Sequence, residues 1–281
     1  MGVFLCYARP MIGIFDSGYG GLTVMKEVVA RLPDYDYLYL GDNARTPYGN
    51  RSSETVTQFA DEAVRFLFEQ GAQLILFACF TASALALPTL QKRFLLDPAS
   101  PYKDRKILGV LRPLAEYAAQ NSGSGRIGVV GTRGTVNSGA FERELNEKKS
   151  GLTITRKACP LLVPLIEEQW HTKPEARMIL KKYLRTVKEH NVDSLILGCT
   201  HYPVMMEDFH RIMGSKTQVI NSGAVVAERL EDYLARHPEI ESRLSRGKKQ
   251  RFMTTDCPQR FGEFVKVFGG LEQGSVEQVQ L

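Results

Sequence analysis

The sequence lacks the features of a membrane protein or of a disulfide-rich secreted protein. No apolar run approaches the roughly 18 residues of a membrane-spanning helix. Five cysteines in 281 residues are too few, and odd in number, for a disulfide framework. The opening ten residues have neither a basic leading segment nor a small-residue cleavage site, so we expect no secretory signal. We interpret residues 1–10 as an N-terminal extension and expect a cytoplasmic location.

A strong charge of either sign is also missing. The 36 Lys and Arg against 31 Asp and Glu leave a net charge of +5, which is too small to indicate nucleic-acid binding by itself. Hydrophobic residues at 43% and charged residues at 24% are typical of a globular protein with an apolar core. The length fits one large domain or two small ones.

Short apolar runs alternate with segments of helical spacing along most of the chain. Helical spacing is clear over residues 20–32 and 52–70, and Pro88 is expected to kink or divide a further helix. Continuous apolar strands between helices predict an α/β fold with a mostly parallel sheet covered on both faces. In such sheets, ligands bind beyond the carboxyl ends of the strands. The predicted strands are 11–15, 35–40, 73–78, 106–111, 126–130, 194–198 and 217–220.

The residues that follow these strands form two similar pairs. IGIFDSGYG, from residue 12, is similar to IGVVGTRGT, from residue 127, and LILFACFT is similar to LILGCTHY. We interpret this as a weak internal duplication of two α/β halves, each with one cysteine at a strand end. The alternative is that any two buried strands look this much alike. We predict a first domain of residues 1–105 plus 221–281, with Cys79, and a second domain of residues 106–220, with Cys199.

Cys79 and Cys199 are candidates for chemistry because each is predicted to lie between a buried strand and a helix start. A helix N-terminus favours the thiolate and is expected to lower the thiol pKa from about 8.5. The alternative is that a free cysteine fills the core as a small hydrophobe, and we favour this reading for Cys6, Cys159 and Cys257.

The spacing of the cysteines separates three kinds of site. A metal site is not expected, because there is no CxxC motif and Cys199-Thr200-His201 is not a normal zinc pair. A Cys/His nucleophile at Cys199 stays open, although it leaves Cys79 unexplained. Two thiols from facing halves suggest instead that one removes a proton from a carbon and the other supplies a proton to the opposite face.

Five motifs resemble glutamate racemases, members of the cofactor-independent aspartate/glutamate racemase superfamily. They are IGIFDSGYGGLTV, GDNARTPYG, ACFTASALALP, CPLLVPLIEE and GCTHYP, in the order of the family. The resemblance implies two similar doubly wound parallel-sheet domains, related by pseudo-two-fold symmetry, with the active site between them. It also implies interconversion of L- and D-glutamate for peptidoglycan, without pyridoxal phosphate, any other cofactor or a metal.

The resemblance further implies a role for each residue of the motifs. Cys79 and Cys199 would be the catalytic thiols, Asp16 would assist Cys79, and His201 would assist Cys199 with Glu167 as its acidic partner. Glu167 is preferred here to its neighbour in the sequence, Glu168. The residues implied to contact the amino acid are Asp16, Ser17, Pro47, Tyr48, Gly49, Phe80, Thr81, Thr132, Thr135, Thr200 and His201.

Two positions depart from the family pattern. The family has Cys-Asn-Thr where this chain has Cys79-Phe80-Thr81, and Leu114 stands where a glycine is usual. A hydrogen bond from the missing amide to a charged group would contribute roughly 1.5–3 kcal/mol, about one to two decades in binding or rate. Activity on glutamate could therefore be weak. Alternatively, the substrate could be aspartate or another acidic amino acid, or the chain could be a racemase-like binding or regulatory protein.

The partners expected from the sequence follow from these readings. The main one is a small-molecule amino acid, and no membrane partner is expected. Because the family often forms dimers, a homodimer is open for this chain. Some glutamate racemases restrain DNA gyrase, and the basic run at residues 243–251 gives weak support to such a contact here.

Overall fold

Two separate parallel sheets form the framework of the computed structural model, which describes residues 10–269, 271 and 275–281. Cys6 and residues 1–9 of the predicted extension lie outside the described residues. The strands are β1 Met11–Asp16, β2 Tyr37–Gly41, β3 Ala72–Phe77, β4 Lys106–Gly109, β5 Arg126–Gly131, β6 Thr153–Ala158, β7 Ser194–Gly198, β8 Gln218–Ile220, β9 Gln250–Thr254 and β10 Val276–Gln278.

The same order of four strands occurs in both sheets. The first sheet has the order β10-β9-β2-β1-β3-β4 and the second has β6-β5-β7-β8, with every pairing parallel. The segment β2-β1-β3-β4 thus corresponds to β6-β5-β7-β8, as the internal duplication predicts. The sheets differ from the predicted division in one respect: Lys106–Gly109 pairs with β3 in the first sheet, although the division at residue 106 assigns it to the second domain.

Helices connect the strands and cover the sheets. Ser52 caps the second helix by accepting a hydrogen bond from the Thr55 amide at 3.2 Å, and the predicted division at Pro88 appears as a break between two short helices. The helices are α1 Leu22–Arg31, α2 Ser53–Glu69, α3 Phe80–Leu85, α4 Leu87–Gln91, α5 Leu111–Asn121, α6 Arg133–Asn137, α7 Ala140–Lys148, α8 Leu162–Glu167, α9 Pro174–Glu189, α10 Met206–Met213, α11 Ser222–Arg236, α12 Pro238–Glu241 and α13 Pro258–Phe264. Across the described part of the chain, none of them is long and apolar enough to cross a membrane.

The side chains of the central strands alternate between two apolar clusters. Ile14 belongs to the larger cluster, whereas its neighbour Phe15 belongs to the smaller one on the opposite face of the first sheet. The larger cluster continues into the second sheet, where it includes Val129 and Leu197. Buried apolar area drives association in proportion to its extent. The two sheets are therefore joined through a shared core, with the ends of β1, β3, β5 and β7 close to their junction.

Candidate active site

The segments that follow these four strands, together with segments after β2 and β6, line a small cavity of about 30 Å³. Both sheets contribute to its walls, as expected for parallel strands whose ligand sites lie beyond their carboxyl ends. Sequence reasoning missed Thr46 and Val163, although both lie within motifs that it used. The lining residues are Ser17, Thr46, Pro47, Tyr48, Gly49, Cys79, Phe80, Thr81, Thr132, Val163, Cys199, Thr200 and His201.

Cys79 caps helix α3 at the end of β3. Its sulfur accepts a hydrogen bond from the Ala82 amide at 3.4 Å, and its thiol donates to the Ser17 hydroxyl at 3.4 Å. Burial raises the pKa of Cys79 to about 12, the charge of Asp16 adds to this effect, and the two hydrogen bonds only partly oppose it. The expected lowering of the Cys79 pKa is therefore wrong, because desolvation outweighs the helix end. Cys79 holds its proton at neutral pH.

Asp16, at the end of β1, lies behind the cavity wall. Its carboxylate accepts a hydrogen bond from the Gly18 amide at 2.9 Å and one from the Thr200 hydroxyl at 3.4 Å. Burial raises the pKa of Asp16, while the charge of His201 and these hydrogen bonds oppose the rise. A carboxyl group of this kind is suited to exchange protons within the site.

Cys199, His201 and Glu167 form a relay on the opposite side of the cavity. The Cys199 sulfur lies 3.9 Å from His201 Nδ1, and His201 Nε2 lies 2.9 Å from a carboxylate oxygen of Glu167. Glu168 instead faces solvent and pairs with Arg260, so Glu167 is the inward-facing member of the pair. Burial alone lowers the pKa of His201, but hydrogen bonds to Cys199 and Glu167 outweigh it and raise the pKa to about 10.

Three threonine hydroxyls meet where the two halves face each other. Thr81 lies in the first turn of α3 in the first half, while Thr132 and Thr135 belong to the start of α6 in the second half. The three oxygens lie 2.9 to 3.3 Å from one another. Thr135 does not line the cavity, but it contacts the two threonines that do. Their hydroxyls can donate to a substrate carboxylate or accept from an ammonium group.

Tyr48 is held in the cavity wall by a buried carboxylate. Asp42, at the end of β2, accepts hydrogen bonds from the Tyr48 hydroxyl, from the Arg45 guanidinium at 2.7 Å and from the Thr255 hydroxyl at 2.9 Å. Burial and the Asp42 charge raise the pKa of Tyr48 far above its usual value. The hydroxyl therefore stays protonated and anchors the loop that carries Pro47 and Gly49.

Phe80 is almost fully buried beside Cys79. Its ring stacks against that of Phe141 in α7, with centroids 6.2 Å apart and an interplanar angle of 28°. Phe141 was not anticipated from the sequence. Leu114, the second departure from the family pattern, is buried in the core and does not line the cavity.

The remaining described cysteines lie outside the cavity. Cys159 follows the partly buried strand β6 and is itself buried, as predicted for a cysteine that fills the core. Cys257 is the N-cap of α13 and is exposed, so its prediction as a core residue is wrong. Within residues 10–269, 271 and 275–281, no group of three or more His, Cys, Asp and Glu side chains could hold a metal ion.

The profile of the Asp/Glu/hydantoin racemase family matches residues 12–230, which contain every residue of the cavity. The chain belongs to this family. A glutamate racemase from Chlorobaculum parvum is 40% identical over 268 residues, covering 95% of each chain. The sequence resemblance to the superfamily is thereby confirmed.

Solved structures of relatives have the same fold over nearly the whole chain. A glutamate racemase isoform from Bacillus anthracis has a TM-score of 0.87 at 33% identity, covering 98% of this chain and 99% of the relative. A glutamate racemase from Francisella tularensis in complex with D-glutamate has a TM-score of 0.85 at 31% identity, covering 97% and 98%. The predicted α/β fold with two parallel-sheet domains is confirmed.

Proposed function

We propose that the protein is a cofactor-independent glutamate racemase that interconverts L- and D-glutamate with Cys79 and Cys199 as its two acid–base groups. The observation that carries the proposal is the single cavity lined by both thiols, with the His201–Glu167 pair beside Cys199 and the charge of Asp16 acting on Cys79. The relatives named glutamate racemases support glutamate as the substrate, as do the solved relatives with bound D- or L-glutamate. The product D-glutamate would serve peptidoglycan synthesis.

The proposed reaction transfers protons on opposite faces of the substrate α-carbon. One cysteine, as thiolate, takes the α-proton, so that the C–H bond breaks and an S–H bond forms. The electron pair left on the carbon is shared with the adjacent carboxylate. The other cysteine donates its thiol proton to the opposite face, which inverts the centre and leaves a thiolate. On each side the charges are then reset by Asp16 or by the His201–Glu167 pair.

The hydroxyl and amide groups around the cavity would hold the substrate during this transfer. The α-proton of an amino acid is weakly acidic, so hydrogen bonds to the carboxylate are needed where negative charge develops. Ser17, Thr81, Thr132 and Thr200 offer such groups from both halves. We assign Pro47, Tyr48 and Gly49 to the wall that encloses the substrate.

The cavity has to widen before an amino acid can enter. A volume of about 30 Å³ holds little more than one or two ordered waters. Because the walls come from both halves, we expect entry by a small separation of the two sheets. Closure around the substrate would then exclude water from the reacting carbon.

The direct test is α-proton exchange of L- and D-glutamate in deuterium oxide, followed by NMR with purified protein and no added cofactor. We expect exchange and inversion from both enantiomers. Inversion should be lost in Cys79→Ser and in Cys199→Ser, whereas Cys159→Ser, a matched change of a buried cysteine outside the cavity, should racemise like the parent. Racemisation at the parent rate in both cavity variants would contradict the two-thiol mechanism.

A second candidate is a racemase of aspartate or another acidic amino acid. It is favoured by Phe80, a lining residue of the cavity that is apolar where the family pattern has an amide. Exchange rates measured on a panel of amino acids separate the two candidates. Faster exchange on glutamate than on every other member would remove the second.

The charged surface of the protein gives little support to the alternative of a racemase-like binding or regulatory protein. Three of the five basic side chains in the run at residues 243–251 pair with carboxylates, which reduces the charge they offer to a partner. These pairs are Arg246–Glu241, Lys248–Asp34 and Arg251–Glu277. A DNA gyrase contact, a homodimer and a cytoplasmic location stay predictions from the sequence.

A further inference from the structure

A stack of two phenylalanines connects the neighbours of the two cavity cysteines. Phe80 follows Cys79 directly in the chain, and its ring stacks on Phe141 from the other half. Phe141 in turn lies against Gly198, the residue before Cys199: a Cβ atom added to Gly198 would come within 3.1 Å of the Phe141 ring. Packing contacts among Phe80, Phe141 and Gly198 therefore connect the two cysteines.

The contacts along this path leave little freedom of movement. Phe80 and Phe141 are each 2% exposed and belong to the same apolar cluster. A Cβ at Gly198 would also lie 2.9 Å from the Val130 carbonyl oxygen, so the Gly198 backbone is enclosed from two sides. Close-packed interiors transmit displacements because they hold few voids. A change in either ring must therefore move a cysteine or open a cavity.

The aromatic stack lies beside polar groups that have a different task. Thr81 follows Phe80 in α3, whereas Thr132 and the Tyr48 loop line the cavity from other elements. Their hydroxyls are hydrogen-bonded to one another and to Asp42. A smaller apolar side chain in place of either ring therefore removes no polar group assigned to substrate binding. It alters the elements that carry the two sulfurs.

We infer that Phe80 and Phe141 are positioning residues that set the separation and aim of the Cys79 and Cys199 thiols across the substrate. This inference rests on the proposed two-thiol function. Proton transfer depends steeply on distance, and a displacement of about 1 Å can cost roughly 100-fold in rate. Phe80 thereby has a task that an asparagine at the same position could not perform, since an amide offers no ring to Phe141.

The kinetic test uses Phe80→Leu, Phe141→Leu and the double variant. In each single variant we expect kcat to fall about 10- to 100-fold, while KM changes less than about threefold, because binding groups remain. The double variant should be little worse than either single variant, since each change breaks the same stack. Phe68→Leu is the matched control: Phe68 is buried and stacks on Tyr102 at 4.8 Å, and neither residue lines the cavity. It should lower the melting temperature without a comparable loss of kcat.

A second measurement reports on the thiols without requiring turnover. In a background with Cys6→Ser and Cys257→Ser, dibromobimane bridges two thiols only when they are close together. Mass spectrometry should show at least twofold less Cys79–Cys199 bridge, relative to single adducts, in both stack variants than in the background and in Phe68→Leu.

The two measurements distinguish the failure of each idea. Bridge loss in a protein that racemises no acidic amino acid would refute the proposed function and retain the positioning role. Unchanged bridging with kcat within threefold of the parent would overturn the positioning role and leave the function intact. A kcat loss no larger than that of Phe68→Leu would also overturn it, because general destabilisation would then explain the effect.

Discussion

Replacing Glu167 by glutamine tests the relay that we propose for proton exchange at Cys199. The pKa of His201 is raised from 6.5 to about 10 although burial opposes the charge. Glu167, 2.9 Å from His201 Nε2, is one of the two groups that favour the imidazolium. An opposite charge at such a distance shifts a pKa by roughly 1–3 units. Glu167→Gln keeps the shape and removes that charge, so the pKa of His201 should fall by about that amount.

The assay is the pH dependence of kcat from pH 6 to 10 in both directions. We expect the alkaline limb that reports His201 to move down by about 1–3 pH units in Glu167→Gln, with a lower kcat at pH 8. The matched control is Glu168→Gln, since Glu168 is its sequence neighbour and faces solvent. It should leave the profile unchanged. An alkaline limb at the parental pH in Glu167→Gln would refute the assigned relay.

The His201–Glu167 pair also makes the stability of the fold depend on pH. Because the pKa of His201 is raised in the folded protein, its contribution to stability is complete below pH 6.5 and is lost as the pH rises through about 10. The parent should therefore lose stability over this window in urea titrations. Glu167→Gln should lose less over the same window, because less of the contribution is present at the start. Parallel stability curves for the two proteins would contradict the assignment.

Three further predictions concern other parts of the site and its support. Asp16→Asn should speed alkylation of Cys79 by iodoacetamide at pH 8 while lowering kcat, since the Asp16 charge raises the pKa of this thiol; an unchanged alkylation rate would count against this coupling. Gly20→Ala should lower kcat at least tenfold, because the added Cβ would lie 2.4 Å from His201 Nδ1 and must displace the ring; an unaffected kcat would show that the loop yields freely. Ser52→Ala should lower the free energy of unfolding by about 1 kcal/mol through loss of the α2 cap and leave kcat unchanged; a parental denaturation midpoint would contradict the capping role.

The sequence predicted those strands that carry unbroken apolar runs. All seven predicted strands occur, because burial on both faces of a parallel sheet demands such runs. It did not predict β6, β9 or β10. Strand β6, with the sequence TITRKA, is at the edge of its sheet and is only partly buried. Its polar residues interrupt the apolar run that would indicate a strand. Which side chains an edge strand buries depends on neighbours that lie far away in the chain.

The main residues of the candidate site were predicted from the sequence, whereas the direction of the Cys79 pKa shift was not. Strand-end positions and the family motifs together identified Cys79, Cys199 and their partners. The direction of the Cys79 pKa shift depends on the balance of burial against hydrogen bonds, which needs coordinates. Likewise, the contact of Phe141 with Phe80 could not be predicted from local sequence, because the two residues are 61 positions apart (141 − 80) and lie in different halves.

The repeated strand order has a consequence for stereochemistry. Each half carries a single cysteine at the end of its third strand, β3 or β7. A lone half could at best remove a proton from a bound amino acid and return it to the side from which it came. Handedness would then be preserved however fast the proton moved. Under the proposed two-thiol mechanism, inversion requires both halves, so the covalent joining of two similar units makes both enantiomers accessible as products.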